Sequence, residues 1–261
     1  MAAARRRNAI STPPARSSAG IGLGPGLRRW VCVGGGIALL GLAMALWWTW
    51  SGTGPDVRRA ANLAAPGELV VFFGNSITQG YGVRPEESFP ALVAQALGVP
   101  MVNAGVSGDT MGAGLARLDR DVLAHRPRLV GMEFGGNDFL RRVPLDETLR
   151  DLEAIVGRLV EAGTMVVLLQ VKVGLGGDPS LAGFQAAADR YGAVLIPDIL
   201  RGILSNADLK LDAIHPNARG HRRIADRLLP TLRRLLDEAD RRRPTAEHPG
   251  GFPLPGLGVV G

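Results

Sequence analysis

Four short segments carry residue types that can act together on an acyl group. Gly74-Asn75-Ser76-Ile77-Thr78 follows the apolar run Glu68–Phe73 (ELVVFF) and puts a serine on a tight turn leaving a buried strand. Such a turn lifts the hydroxyl above the sheet and leaves the serine N–H free to donate. It resembles a nucleophile elbow, although Thr78 stands where Gly-x-Ser-x-Gly has its last glycine. In Asn103-Ala104-Gly105-Val106-Ser107-Gly108-Asp109-Thr110, Gly108 permits close backbone approach and can offer its N–H to an oxyanion. In Gly135-Gly136-Asn137-Asp138 the Asn137 amide can donate to the same point. In Asp212-Ala213-Ile214-His215-Pro216, Asp212 can accept from imidazole Nδ1–H, which leaves Nε2 to take the Ser76 proton. Each segment alone has an ordinary structural reading. Ser76 can be a helix N-cap, Gly108 a turn beside a cap at Asp109 or Thr110, Gly-Gly-Asn-Asp a turn, and Asp-x-x-His a coincidence. His125, His221 and His248 have no comparable setting and read as solvated or structural.

The conjunction depends on the elements that carry the segments. Glu68–Phe73, Val99–Asn103, Leu129–Phe134, Met165–Val171 and Ala193–Ile196 are short and strongly apolar, as buried parallel strands are. Helical spacing lies between and after them, at Phe89–Leu97, Met111–Leu123, Leu145–Ala162, Leu181–Tyr191 and Ala218–Ala239. This strict alternation predicts an α/β layer fold with right-handed crossovers. Sites in such folds lie beyond the carboxyl ends of the strands, and three of the four segments follow strands directly. The fourth stands just before the last helix.

In this order, the four segments resemble the four blocks of the SGNH/GDSL hydrolase family, which carry Ser, Gly, Asn and His. The spellings NAGVSGDT, GGND and DAIHPN look most like its thioesterase/lysophospholipase/arylesterase branch, and the resemblance runs from about Glu68 to Glu238. One departure is Asn75, where the family's Gly-Asp-Ser-Leu has aspartate. The resemblance implies a three-layer α/β/α, flavodoxin-like fold with a five-stranded parallel sheet. It implies a triad of Ser76, His215 and Asp212, with an oxyanion hole made by Ser76 N–H, Gly108 N–H and the Asn137 amide. It implies hydrolysis of aryl, short acyl or lysophospholipid esters, or acyl thioesters, with no metal and no cofactor. A polysaccharide O-deacetylase of the cell envelope and an inactive binding module of the same fold are the alternatives. After the fourth strand, Val171-Lys172-Val173-Gly174-Leu175-Gly176-Gly177-Asp178 is either a surface loop or a wall of the acyl site contacted through Val173 and Leu175.

Charge and hydropathy set the remaining limits. The chain has 30 Lys+Arg against 24 Asp+Glu, a formal charge of +6. Arg5, Arg6, Arg7, Arg16, Arg28 and Arg29 are the only charged residues before Asp56, so the remainder balances at 24 basic against 24 acidic. A neutral body argues against a nucleic-acid partner, which needs basic residues on the folded surface. A single cysteine, Cys32, excludes an intramolecular disulfide.

Val31–Trp50 has no charge over twenty residues. At about 1.5 Å per residue it spans roughly the 30 Å of a hydrocarbon core. Residues 1–30 then read as a basic cytoplasmic tail, 31–50 as a transmembrane signal-anchor and 51–67 as a linker. Residues 68–240 read as the hydrolase domain, on the extracytoplasmic side, and 241–261 as a Pro/Gly-rich tail. Secretion after signal-peptide cleavage is the competing reading, although the WWTW segment offers no small-x-small site.

Overall fold

Val70-Val71-Phe72-Phe73 sends alternate side chains to opposite sides of one strand, and all four are buried. A strand apolar on both faces needs a layer on each, and the computed structural model supplies both. It describes residues 54–173 and 178–243. The sequence readings for residues 1–30, 31–50, Leu175 and the terminal residues from 244 onward lie outside these. Among the described residues, no helix is long and apolar enough to cross a membrane.

The strands are β1 (Val70–Gly74), β2 (Met101–Gly105), β3 (Leu129–Glu133), β4 (Met165–Leu169) and β5 (Val194–Ile196). They form one parallel sheet in the order β2-β1-β3-β4-β5. Because β1 lies between β2 and β3, successive crossovers leave it in opposite directions, opening a crevice beyond its carboxyl end. The helices are α1 (Ser76–Gln79), α2 (Phe89–Leu97), α3 (Met111–Asp121), α4 (Gly136–Leu140), α5 (Leu145–Glu161), α6 (Pro179–Tyr191) and α7 (Ala218–Arg242).

Val70 and Phe72 pack with Phe89 and Leu92 of α2 and Ile224, Leu228 and Leu232 of α7. Val71 and Phe73 pack with Met111 and Leu118 of α3, Leu152 and Ile155 of α5 and Phe184 of α6. Edge-to-face contacts add to both cores: Phe72 on Phe89 of α2 at 5.5 Å, and Phe73 on Phe134, which directly follows β3, at 4.9 Å. Burying each ring stabilises the fold by about 1.5–3 kcal/mol. In α7, Ile224, Leu228, Leu232 and Leu235 recur at helical spacing and are buried, whereas the charged residues lie on the other faces.

Two boundaries differ from the sequence reading. Residues 51–67 read as a linker, but the part from Gly54 onward packs on the domain. Asp56 caps a 3₁₀ turn at Val57–Arg59, and Val57, Leu63 and Ala65 are buried. Asn62 Nδ2 donates to the carbonyls of Val160 (2.8 Å) and Thr164 (3.1 Å), where α5 ends and β4 approaches. Val57, Leu63 and Ala65, spaced six and then two residues apart, follow no helical or strand period, so the pattern could not announce them. At the other end α7 continues to Arg242 instead of stopping before Arg241. Arg241 and Arg242 both pair with Glu238, which favours another half-turn at a helix carboxyl end.

Candidate active site

The turn after β1 is built by Asn75 rather than Ser76. Asn75 is the N-cap of α1, its Oδ1 accepting from Ile77 N–H at 3.0 Å. The hydroxyl of Ser76 is thereby released from capping, and it lies 3.0 Å from His215 Nε2. The close fit of this turn on β2 requires Gly105, because a Cβ there would stand 2.2 Å from the Gln79 backbone nitrogen.

His215 is held from its other side. Its Nδ1 lies 2.8 Å from Asp212 Oδ2, while Asp212 Oδ1 accepts from the N–H groups of Ile214 (2.9 Å) and His215 (2.8 Å). The Ile214 N–H, then the imidazole, hold the Asp212 carboxyl down at about 2. The loop is pinned by Asn217, which caps α7 and donates to the carbonyls of Asp208 and Lys210. Tyr81 lies against the imidazole with ring centroids 4.6 Å apart.

Gly108 has φ +85°, a left-handed conformation that glycine adopts without strain. Beside it, the Asp109 carbonyl accepts from Asn137 Nδ2 at 2.9 Å. An amide nitrogen carries two hydrogens, so this bond orients the group and leaves one N–H over. Asp138, the next residue, is buried and accepts from Met111 N–H at 3.1 Å, closing the amino end of α3. Burial raises its pKa. The reading of Thr110 as the α3 cap corresponds to its Oγ1 accepting from Ala113 N–H at 3.3 Å.

Ser76, Asn137 and His215 line one cleft of about 170 Å³, whose walls include Ile77, Phe139, Leu140, Leu204 and Ile214. Val173 lines it too, whereas Leu175 is outside the described residues. Among the described residues, no group of three or more His, Cys, Asp and Glu side chains is arranged to hold a metal ion.

Three residues around the site escaped the sequence reading. Glu133 ends β3 and is fully buried, accepting from Asn75 Nδ2 and Thr78 Oγ1, both at 2.9 Å. A lone acid in the apolar run LVGMEF was the available signal. Arg117 and Tyr81 had none, since arginine on a helix and tyrosine in a Gly-rich loop are ordinary.

A parallel α/β/α sheet with Ser, Asn and His side chains gathered at the carboxyl edge of its strands is the architecture of SGNH-type hydrolases. The family model for GDSL-like lipase/acylhydrolases matches residues 72–223, more than half of the chain, and the chain belongs to that family. It is 30% identical over 185 residues to the esterase TesA of Pseudomonas aeruginosa, covering 66% of this chain and 91% of that protein. It is 29% identical over 170 residues to an arylesterase of Vibrio mimicus, covering 61% and 85%. Among solved structures, TesA superposes with a TM-score of 0.61 at 28% identity, covering 65% of this chain and 100% of that one. The psychrotrophic esterase EstA from Pseudoalteromonas sp. gives 0.61 at 25%, covering 66% and 100%. The chain is a carboxylic ester hydrolase of the SGNH/GDSL type.

Proposed function

We propose that the enzyme hydrolyses esters through an acyl-enzyme on Ser76, with His215 as general base and Asp212 orienting the imidazole. The observation that carries this reading is the continuous line from Asp212 Oδ2 to His215 at 2.8 Å and from His215 to Ser76 Oγ at 3.0 Å. Ser76 Oγ attacks the carbonyl carbon and its proton passes to His215 Nε2, while Asp212, ionised, stabilises the imidazolium. The developing oxyanion accepts from the N–H groups of Ser76 and Gly108 and from the remaining Asn137 N–H. Collapse expels the alcohol or thiol, which takes the proton from His215. Water activated by the same imidazole then attacks the acyl-enzyme and releases the acid.

Apolar walls at Ile77, Phe139, Leu140, Leu204 and Ile214 favour acyl or aryl groups over polar ones. Aryl and acyl esters, lysophospholipids and acyl thioesters are the substrate classes proposed. A second reading, an envelope polysaccharide O-deacetylase, draws on 30% identity over 205 residues to an acetylxylan esterase of Geobacillus stearothermophilus, covering 61% of this chain and 91% of that one. The apolar cleft favours the first. In the same reading residues 31–50 are a membrane anchor, with the domain on the extracytoplasmic side. Its support is the uncharged run preceded by six arginines.

Ser76→Ala is expected to abolish release of p-nitrophenol from acyl esters and labelling by a fluorophosphonate; full activity in that variant overturns the assignment. Rates across acetyl, butyryl, octanoyl and acetylated-glycan esters separate the two substrate readings. A reporter active only in the cytoplasm, fused after Trp50, must stay silent if the anchor has the proposed orientation.

A further inference from the structure

Arg117 of α3 is 9% exposed, and three of its four donor contacts reach groups at the catalytic edge of the sheet, the fourth going to Asp121 of its own helix. Its Nε donates to Asp109 Oδ2 at 2.6 Å. Its Nη1 donates to the Ala104 carbonyl at 2.9 Å and to Asp121 Oδ2 at 3.1 Å. Its Nη2 donates to the Gly74 carbonyl at 3.0 Å, and the guanidinium lies 4.5 Å from the centre of the Phe73 ring. A buried arginine could serve packing alone. What distinguishes this one is where the acceptors stand in the chain.

Gly74 ends β1 and is two residues before Ser76. Ala104 lies at the end of β2, where the chain turns towards Gly108. Asp109 follows Gly108 directly, and its carbonyl holds Asn137 Nδ2 at 2.9 Å. The three groups that would donate to an oxyanion therefore sit on three separate loops, and one guanidinium touches two of those loops directly and the third through Asp109. The fork geometry matters, because arginine spreads its N–H groups in a plane that reaches several acceptors at once. A lysine ammonium is a single point and cannot span from the Gly74 carbonyl to the Asp109 carboxylate.

We infer that Arg117 is a positioning residue that sets the spacing of the oxyanion hole, by fastening the Ser76 turn to the loop that carries Gly108 and holds Asn137. This rests on the acyl-enzyme reading of Ser76. Arg117 touches no reacting atom, and its effect falls on the transition state because oxyanion donors must lie at hydrogen-bond distance from an atom that carries charge only there. Ground-state binding of the acyl chain, on the walls formed by Phe139, Leu140 and Ile214, does not pass through it.

The test compares Arg117→Lys, Arg117→Met and Asp109→Asn with the wild-type chain. Active sites are counted by fluorophosphonate titration, and kcat and KM for a p-nitrophenyl ester are expressed per titrated site. The expected result is a fall in kcat of about 10²-fold for Arg117→Lys, the scale of a displacement near 1 Å, with KM unchanged. Affinity for a boronic acid that mimics the tetrahedral intermediate should fall by the same factor as kcat. A purely structural role would reduce the number of titratable sites and leave kcat per site and boronate affinity alone, and that result overturns the inference. Should the Arg117 variants fail to fold, Asp109→Asn decides the matter. It keeps the guanidinium on the Gly74 and Ala104 carbonyls and loosens only the Gly108 loop, so unchanged kcat per site in this variant also overturns the inference. Failure of the underlying reading looks different, because the probe would then not label Ser76 in the wild-type chain at all.

Discussion

Replacing Glu133 by glutamine should change how stability depends on pH. Glu133 lies directly beneath the Ser76 turn with 0% exposure. Burial pushes its carboxyl from 4.5 up to about 8, against the pull of donors from Thr78 and Asn75. The sign follows from proton counting. Between the unfolded value of 4.5 and the folded value of about 8, the folded chain holds a proton that the unfolded chain has released, so stability falls as pH rises through that window. Below it both states are protonated and above it both are ionised, so the contribution is flat. At about 1.36 kcal/mol per pH unit, the gap corresponds to a ceiling of about 5 kcal/mol.

Glutamine keeps an acceptor oxygen for Asn75 or Thr78 and does not titrate. Urea unfolding of both chains at a series of pH values from 5 to 9 measures the effect. The stability of the glutamine variant relative to the wild type should rise by several kcal/mol between pH 5 and pH 8. Any constant cost of the substitution cancels from this slope, and so do the titrations of Asp138 and His221, which both chains share. Parallel stability curves across the whole range would refute the reasoning.

Asn137→Ala should leave a folded protein whose kcat falls by about 10²–10³-fold, measured per titrated site on a p-nitrophenyl ester. His221 is fully buried and accepts from Phe89 N–H at Nδ1. Burial, then repulsion from His215, lowers its pKa from 6.5 to about 4. Its contribution is therefore fully present above pH 6.5 and is lost as pH falls through 4, with a ceiling of about 3 kcal/mol. His221→Gln should melt with a smaller drop between pH 7 and pH 4 than the wild type. Gly105→Ala drives a Cβ to 2.2 Å from Gln79 N, so it should lower the melting temperature by the equivalent of about 1–3 kcal/mol and displace the Ser76 turn, lowering kcat as well.

The layer architecture was legible because its causes are local. ELVVFF and MVVLL can be buried on both faces only as inner strands, and the 3.6-residue spacing of Ile224, Leu228, Leu232 and Leu235 marks a helix that covers one face. Strand limits were less so: the run Glu68–Phe73 becomes β1 at Val70–Gly74, since a strand extends only where its neighbours offer ladder partners. The packing of Asn62 under α5 left no periodic trace, because it depends on carbonyls about a hundred residues away. The same holds for Glu133 and Asn75, 58 residues apart. Asn75 looked like a loss of charge relative to the family's aspartate. Beside a buried glutamate it supplies an N–H donor at any pH, which an ionised aspartate could not.

By itself, the sequence determined which residue types stand at the ends of which strands, since apolar runs and turn residues declare themselves within a few positions. It also determined the neutrality of the body and the arginine-flanked apolar run. Only the tertiary structure decided which side chains meet. Ser76 and His215 are 139 residues apart, and they come within 3.0 Å because a parallel sheet directs every strand's carboxyl end to one edge. It also decided that Asn75 rather than Ser76 caps the helix, and that one buried guanidinium holds the loops together. Hydrogen bonds between distant segments have no sequence period, so only the folded chain selects among the partners the sequence allows.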